Sequence, residues 1–85
     1  MSDSTMISAI RDLVVTAGLG IIQEKDLNNE RGLDELGYGS INYLNLLELI
    51  ENTFGIVIEP ETDLKFLNSV DTIYKFVKNH VPLVK

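Results

Sequence analysis

The stretch LGYGSINYLNLLELIENTFGI, residues 36–56, sets a serine between a glycine-rich turn and a run of regularly spaced apolar residues. At roughly 100 degrees per residue, Tyr43, Leu46, Leu47, Ile50 and Phe54 fall on one arc, so Ser40 to Phe54 reads as an amphipathic helix with that arc toward a core. Gly55 stops it. A neighbouring arc carries Ile41, Leu44, Glu48 and Glu51; the remaining side carries Asn42, Asn45, Asn52 and Thr53, with Leu49 as an exception. The mixed arc has the chemistry of a transient partner site, where aliphatic anchors give contact area and carboxylates give steering. Its simpler reading is that Ile41 and Leu44 cover the preceding loop.

Ser40 also admits two readings. As a helix cap it accepts a backbone hydrogen bond, contributing about 1 kcal/mol, and on local sequence alone this is the simpler assignment. A capping box on that register would need Glu or Gln at position 43, where Tyr43 stands. As a functional group it needs a hydroxyl held open at a helix start, and Gly37 and Gly39 leave an enzyme room to reach it. A phosphate joined there would meet free backbone amides and the positive end of the helix dipole. Catalysis is a poor fit, because nucleophilic activation needs a base and the one histidine, His80, lies near the far end of the chain. The GYGSI segment also lacks the second glycine and the preceding strand of a hydrolase nucleophile elbow.

Outward from this helix, Ile7, Ile10, Val14 and Ala17 recur at helical spacing after the cap-rich SDST, widened by Met6 and Leu13, and Gly18 and Gly20 end the stripe. The segment from Ile21 to Gly39 reads as a long loop pinned by Leu27, Leu33 and Leu36; a connection of that length usually has a role. On the other side IVIEP has no partner strand, and Pro60 suits the start of a short third helix running to Leu64 or Leu67. A last helix, capped by Ser69, buries Val70, Ile73 and Val77 with Phe76 or Tyr74 alongside, and ends at Pro82.

Composition bounds the rest. A chain of 85 residues with no cysteine, no tryptophan, 45% hydrophobic residues and 7% aromatic ones suits a single aliphatic helical domain, residues 1–85. No stretch reaches the ~20 apolar residues of a membrane span, and MSDSTM does not resemble a signal peptide, so a cytoplasmic protein and a monomer are expected. The net charge of -6 is concentrated: ten acidic residues between Glu24 and Asp63 face only Lys25 and Arg31. An acidic centre repels nucleic acid and speeds encounter with basic protein patches. The carboxylates have no accompanying His or Cys cluster, so no metal site is expected.

The segment DELGYGSINYLNLLELIENTFGIVIEPE, with Leu36-Gly37 before Ser40, Ile41 after it, Phe54 at the helix end and Ile58 leading to Pro60, resembles the core of the acyl carrier proteins. The resemblance extends over nearly the whole chain. It implies an all-α fold, a small four-helix bundle with a long loop between helices 1 and 2 and a short third helix. It implies that Ser40, flanked by Gly39 and Ile41, is esterified by 4'-phosphopantetheine derived from coenzyme A. It implies a non-enzymatic carrier of acyl thioesters for fatty acid, polyketide or related biosynthesis. Its partners would be a phosphopantetheinyl transferase and acyl-loading and acyl-processing enzymes with basic patches, met by Asp34, Glu35, Ile41, Leu44, Glu48 and Glu51.

This sequence departs from the family pattern at four places: Gly39 replaces the usual aspartate, Asn42 and Asn45 replace usual acidic residues, and Tyr38 replaces a smaller one. Those departures point to a specialised pathway with dedicated partners. Two alternatives remain beside it, an aminoacyl or peptidyl carrier and an unmodified carrier-like interaction module.

Overall fold

The computed structural model describes residues 3–80, and its described elements are all helical. Helix α1 spans Asp3–Ala17, α2 spans Ser40–Phe54 and α3 spans Val70–His80. Single 3-10 turns at Glu24–Asp26 and Leu33–Leu36 break up the long connection from α1 to α2, and a third, Leu64–Asn68, stands between α2 and α3.

Helix α1 packs against both α2 and α3. It contributes Met6, Ile10, Val14 and Ala17 to a core completed by Leu33 from the loop, Leu46 and Ile50 from α2, and Val70, Ile73 and Val77 from α3. The apolar stripe read for α1 is therefore the buried one, with Ile7 and Leu13 half-buried at its edges. The SDST segment does not precede the helix, however: Asp3, Ser4 and Thr5 are already helical. An acidic residue in the first turn favours the helix start through the dipole.

The buried face of α2 differs from the arc expected from its apolar spacing. The residues buried along it are Asn42, Leu46 and Ile50, while Tyr43, Leu47 and Phe54 are half-buried, as is Leu49. The core face thus lies roughly 50 degrees toward Asn42 and Leu49 from the expected arc. A polar residue has taken a core position, which pattern reading by hydrophobicity assigns to solvent. Gly55 ends the helix as expected, in the left-handed conformation at φ 66° with its N–H on the Glu51 carbonyl.

After α2 the chain leaves regular structure: Ile56 and Ile58 are buried and Val57 between them is 80% exposed. The expected short third helix begins at Leu64, not at Pro60, and is a 3-10 turn with Asp63 as its cap, the carboxylate accepting from the Lys65 N–H. Ser69 caps α3 reciprocally: its Oγ accepts the Thr72 N–H at 3.2 Å and its N–H donates to Thr72 Oγ1 at 2.9 Å. The expectation that Pro82 ends this helix falls outside the described residues.

The long loop is held by more than its leucines. Leu27 and Leu33 are buried, and Arg11 from α1 donates to the Glu24 carboxylate at 2.7 Å and to the Leu27 carbonyl at 3.2 Å.

Candidate functional site

The turn into α2 is built by three short-range constraints. Gly37 closes the Leu33–Leu36 turn at φ 103°, a conformation that a residue with a Cβ adopts only under strain. Gly39 is extended and occupies the cap position, so that Ser40 is the first helical residue. This corrects the capping assignment: Ser40 lies inside the helix and Gly39 is the cap. The register moves by one residue, and the side chain that closes the turn is Asn42, whose Oδ1 accepts the Gly39 N–H at 2.9 Å.

Two consequences meet at Ser40. A glycine cap offers no side-chain acceptor, so no cap side chain takes up the first-turn amides of α2. Ser40 itself is exposed, with its hydroxyl not spent on capping. The aspartate usual at the position of Gly39 would instead set a carboxylate against those amides.

On the other side of the turn, Tyr38 and Asn42 are both 6% exposed. The Tyr38 hydroxyl donates to the Val14 carbonyl at 2.7 Å, and its ring meets that of Tyr43 edge-on, centroids 5.0 Å apart. The Asn42 amide donates to the Ala17 carbonyl at 2.9 Å. Burial, with Tyr43 beside it, pushes the Tyr38 phenol well above its usual range, and burial with the nearby Asp34 carboxylate raises that of Tyr43. Neither role was legible beforehand. Asn42 stood out only as a missing acidic residue, and its helical spacing with Leu46 and Ile50 was the available signal.

Beside Ser40 runs a groove of about 760 Å³ between α2 and the Leu64–Asn68 turn. Tyr43, Leu44, Leu47, Leu64 and Leu67 give it apolar walls, and Asp34, Lys65, Asn68 and Thr72 stand among its polar groups. The groove joins Ser40 to residues 64–72, which sequence reading had treated only as structural.

The other candidate residues are distributed around this turn. Ile41 and Leu44 do not bury themselves under the loop; they are 68% and 64% exposed. Glu48 is exposed on the same helix. Glu51 is half-buried and its carboxylate accepts the Ile58 N–H at 2.9 Å, fastening the segment that follows the helix. Asp34 and Glu35 are exposed in the Leu33–Leu36 turn, where Glu35 pairs with Arg31 at 3.2 Å. His80 stacks on Phe76 at the end of α3 and does not line the groove. Among the described residues no group of His, Cys, Asp and Glu could hold a metal ion, and no helix is long and apolar enough to cross a membrane.

The family model for the phosphopantetheine attachment site matches residues 8–77, which takes in all of the turn, the groove and most of α1 and α3. Comparison with curated proteins and with solved structures gave no match. Members of the matching family are non-catalytic carriers that hold 4'-phosphopantetheine covalently and work with a phosphopantetheinyl transferase and biosynthetic enzymes. With that match over most of its length, the chain belongs to the phosphopantetheine-binding carrier proteins.

Proposed function

We propose that Ser40 is the attachment point and that the chain carries acyl intermediates, as an acyl carrier protein of a specialised fatty acid, polyketide or related pathway. The observation that carries this is the exposed residue Ser40 at the first position of α2, beside first-turn amides that no side chain caps. These residues fit the group. A phosphodiester on Ser40 would lie against those N–H groups and the positive end of the dipole. When attached, 4'-phosphopantetheine supplies a terminal thiol that holds cargo as a thioester. The protein's own part is to root and orient that arm, and its lack of cysteine leaves no competing thiol.

What supports an acyl cargo is the groove beside Ser40. Its walls of Leu44, Leu47, Leu64 and Leu67 offer an aliphatic chain a surface on which to leave water, whereas a charged aminoacyl group would lose hydration there. Partners are met on the exposed side of the turn. Ile41 and Leu44 supply apolar contact, and Glu48 with Asp34 and Glu35 supplies a field that attracts basic patches.

The experiment is intact-mass analysis after incubation with a broad-specificity phosphopantetheinyl transferase and coenzyme A. A single mass gain of one phosphopantetheine, absent from Ser40→Ala, is the expected result. No gain in the wild-type chain would remove this reading and favour an unmodified interaction module. The mass of the thioester on protein purified from its own cell then separates acyl from aminoacyl or peptidyl cargo.

A further inference from the structure

We propose that Tyr38 and Asn42 are positioning residues for the modification of Ser40, acting as a two-point clamp that fixes the start of α2 on the end of α1. The proposal rests on the reading of Ser40 as the attachment point.

A helix ends with four carbonyls that its own backbone does not satisfy. In α1 these are accounted for unevenly. Val15 and Thr16 are met locally, by the Gly18 N–H at 3.1 Å and the Leu19 N–H at 3.3 Å. Val14 accepts the Gly18 N–H at 3.0 Å and also the Tyr38 hydroxyl, and Ala17 accepts the Asn42 amide. The side-chain donors stand two residues before and two residues after Ser40. Both are more than nine-tenths buried, so neither is available for a partner to touch.

The same two residues close the turn internally. Asn42 holds the Gly39 N–H, the Tyr43 N–H returns to the Gly39 carbonyl at 3.1 Å, and the Tyr43 ring packs on Tyr38. Gly39 is left with no freedom to wander although it is glycine, and the position of Ser40 follows. Transfer of 4'-phosphopantetheine from coenzyme A forms the Ser40 Oγ–P bond and breaks a P–O bond of the pyrophosphate; adenosine 3',5'-bisphosphate leaves and the hydroxyl proton passes to a base of the transferase. The Oγ must stand in line with the attacked phosphorus, and an error near an ångström in such an arrangement can cost roughly a hundredfold in rate. Binding of the transferase depends instead on the exposed face of Ile41, Leu44 and Glu48, which the clamp does not touch. Loosening the clamp should therefore lower kcat and spare KM. A clamp that served stability alone would lower neither while the variant stays folded.

The test measures initial rates of phosphopantetheinylation by intact mass for wild type, Tyr38→Phe, Asn42→Ala, Asn42→Asp and Val77→Ala, at a temperature where circular dichroism shows each folded. Val77 is fully buried on α3, does not line the groove and is bonded to neither clamp residue, so it reports destabilisation without loss of the clamp's hydrogen bonds. Expected are a fall in kcat of roughly tenfold or more for Asn42→Ala and a smaller one for Tyr38→Phe, with KM within about threefold of wild type. Asn42→Asp keeps an acceptor for Gly39 but cannot donate to Ala17, and should lie between wild type and Asn42→Ala. Val77→Ala should keep the wild-type kcat at a lowered melting temperature. Should Asn42→Ala not fold, Tyr38→Phe, which loses one oxygen and keeps its ring, carries the comparison. Wild-type kcat in both clamp variants, or a loss in Val77→Ala matching theirs, overturns the proposal. Absence of any mass gain in the wild type overturns the attachment reading on which it rests.

Discussion

Arg11 donates to the Asn29 side chain at 2.5 Å, and the Asn29 carbonyl accepts the Asp71 N–H at 2.7 Å, so a cation on α1 reaches the first turn of α3 through one loop residue. The same guanidinium pairs with Glu24. Replacing Arg11 by Met keeps much of the aliphatic stem and deletes every donor. The expected cost is about 1 to 3 kcal/mol in urea unfolding, accompanied by faster amide exchange across residues 24–30 with α2 little changed.

Leu46 and Ile50 are fully buried in α2, whereas Glu48 between them is exposed. Leu46→Ala or Ile50→Ala should lower unfolding free energy by about 2 to 5 kcal/mol. Glu48→Lys should change it by less than about 0.5 kcal/mol. Its effect belongs to association: the on-rate for a basic partner should fall, and should fall less as salt rises, because screening weakens the steering that the carboxylate provides. Stopped-flow association at two ionic strengths, beside thermal melts of the three variants, checks the ranking.

Gly37 and Gly55 both sit at positive φ, 103° and 66°, but their surroundings differ. A Cβ on Gly55 would meet nothing within 4 Å, while one on Gly37 would come to 3.0 Å from the Ile21 side chain. Gly55→Ala should therefore cost only the backbone strain, about 1 kcal/mol, and Gly37→Ala should cost more. Chemical denaturation of the two variants gives the comparison directly.

Tyr38 makes alkaline stability informative. Burial favours its neutral phenol, so its folded pKa lies above the unfolded value of 10.0. The stabilisation this implies is fully present below pH 10 and is lost as pH rises from there toward the folded value. Wild type should lose unfolding free energy above pH 10 more steeply than Tyr38→Phe, by up to about 1.4 kcal/mol per pH unit. Parallel curves for the two proteins would mean that the phenol is not held neutral by the fold.

Sequence reading reached the three α-helices because their apolar residues recur at helical spacing, and it reached the ends of the first two because glycines follow them. It singled out Ser40 because Gly37 and Gly39 leave the start of this helix open. It placed the cap one residue late, since a serine at a helix start resembles a cap and a glycine offers no side chain to compare. It missed the burial of Asn42 for a related reason: hydrophobic patterning ranks residues by side-chain polarity, and Asn42 is buried because two backbone groups, Gly39 N–H and Ala17 C=O, complete its hydrogen bonds. The groove was invisible because it forms between α2 and a 3-10 turn distant in sequence. Glu51 was legible as an acidic helix residue, but its bond to the Ile58 N–H depends on how the chain doubles back after Gly55.

The ending of α1 on Tyr38 and Asn42 has a mechanical consequence. Force exerted on Ser40, as when a bound enzyme draws a tether into its own interior, is not borne by the first turn of α2 alone, where peeling would begin. It passes sideways through a phenol and an amide into the neighbouring rod, whose tail is already anchored in the core at Ala17. An arm rooted at Ser40, as proposed, would have its base shared between two helices, and pulling on it would load both.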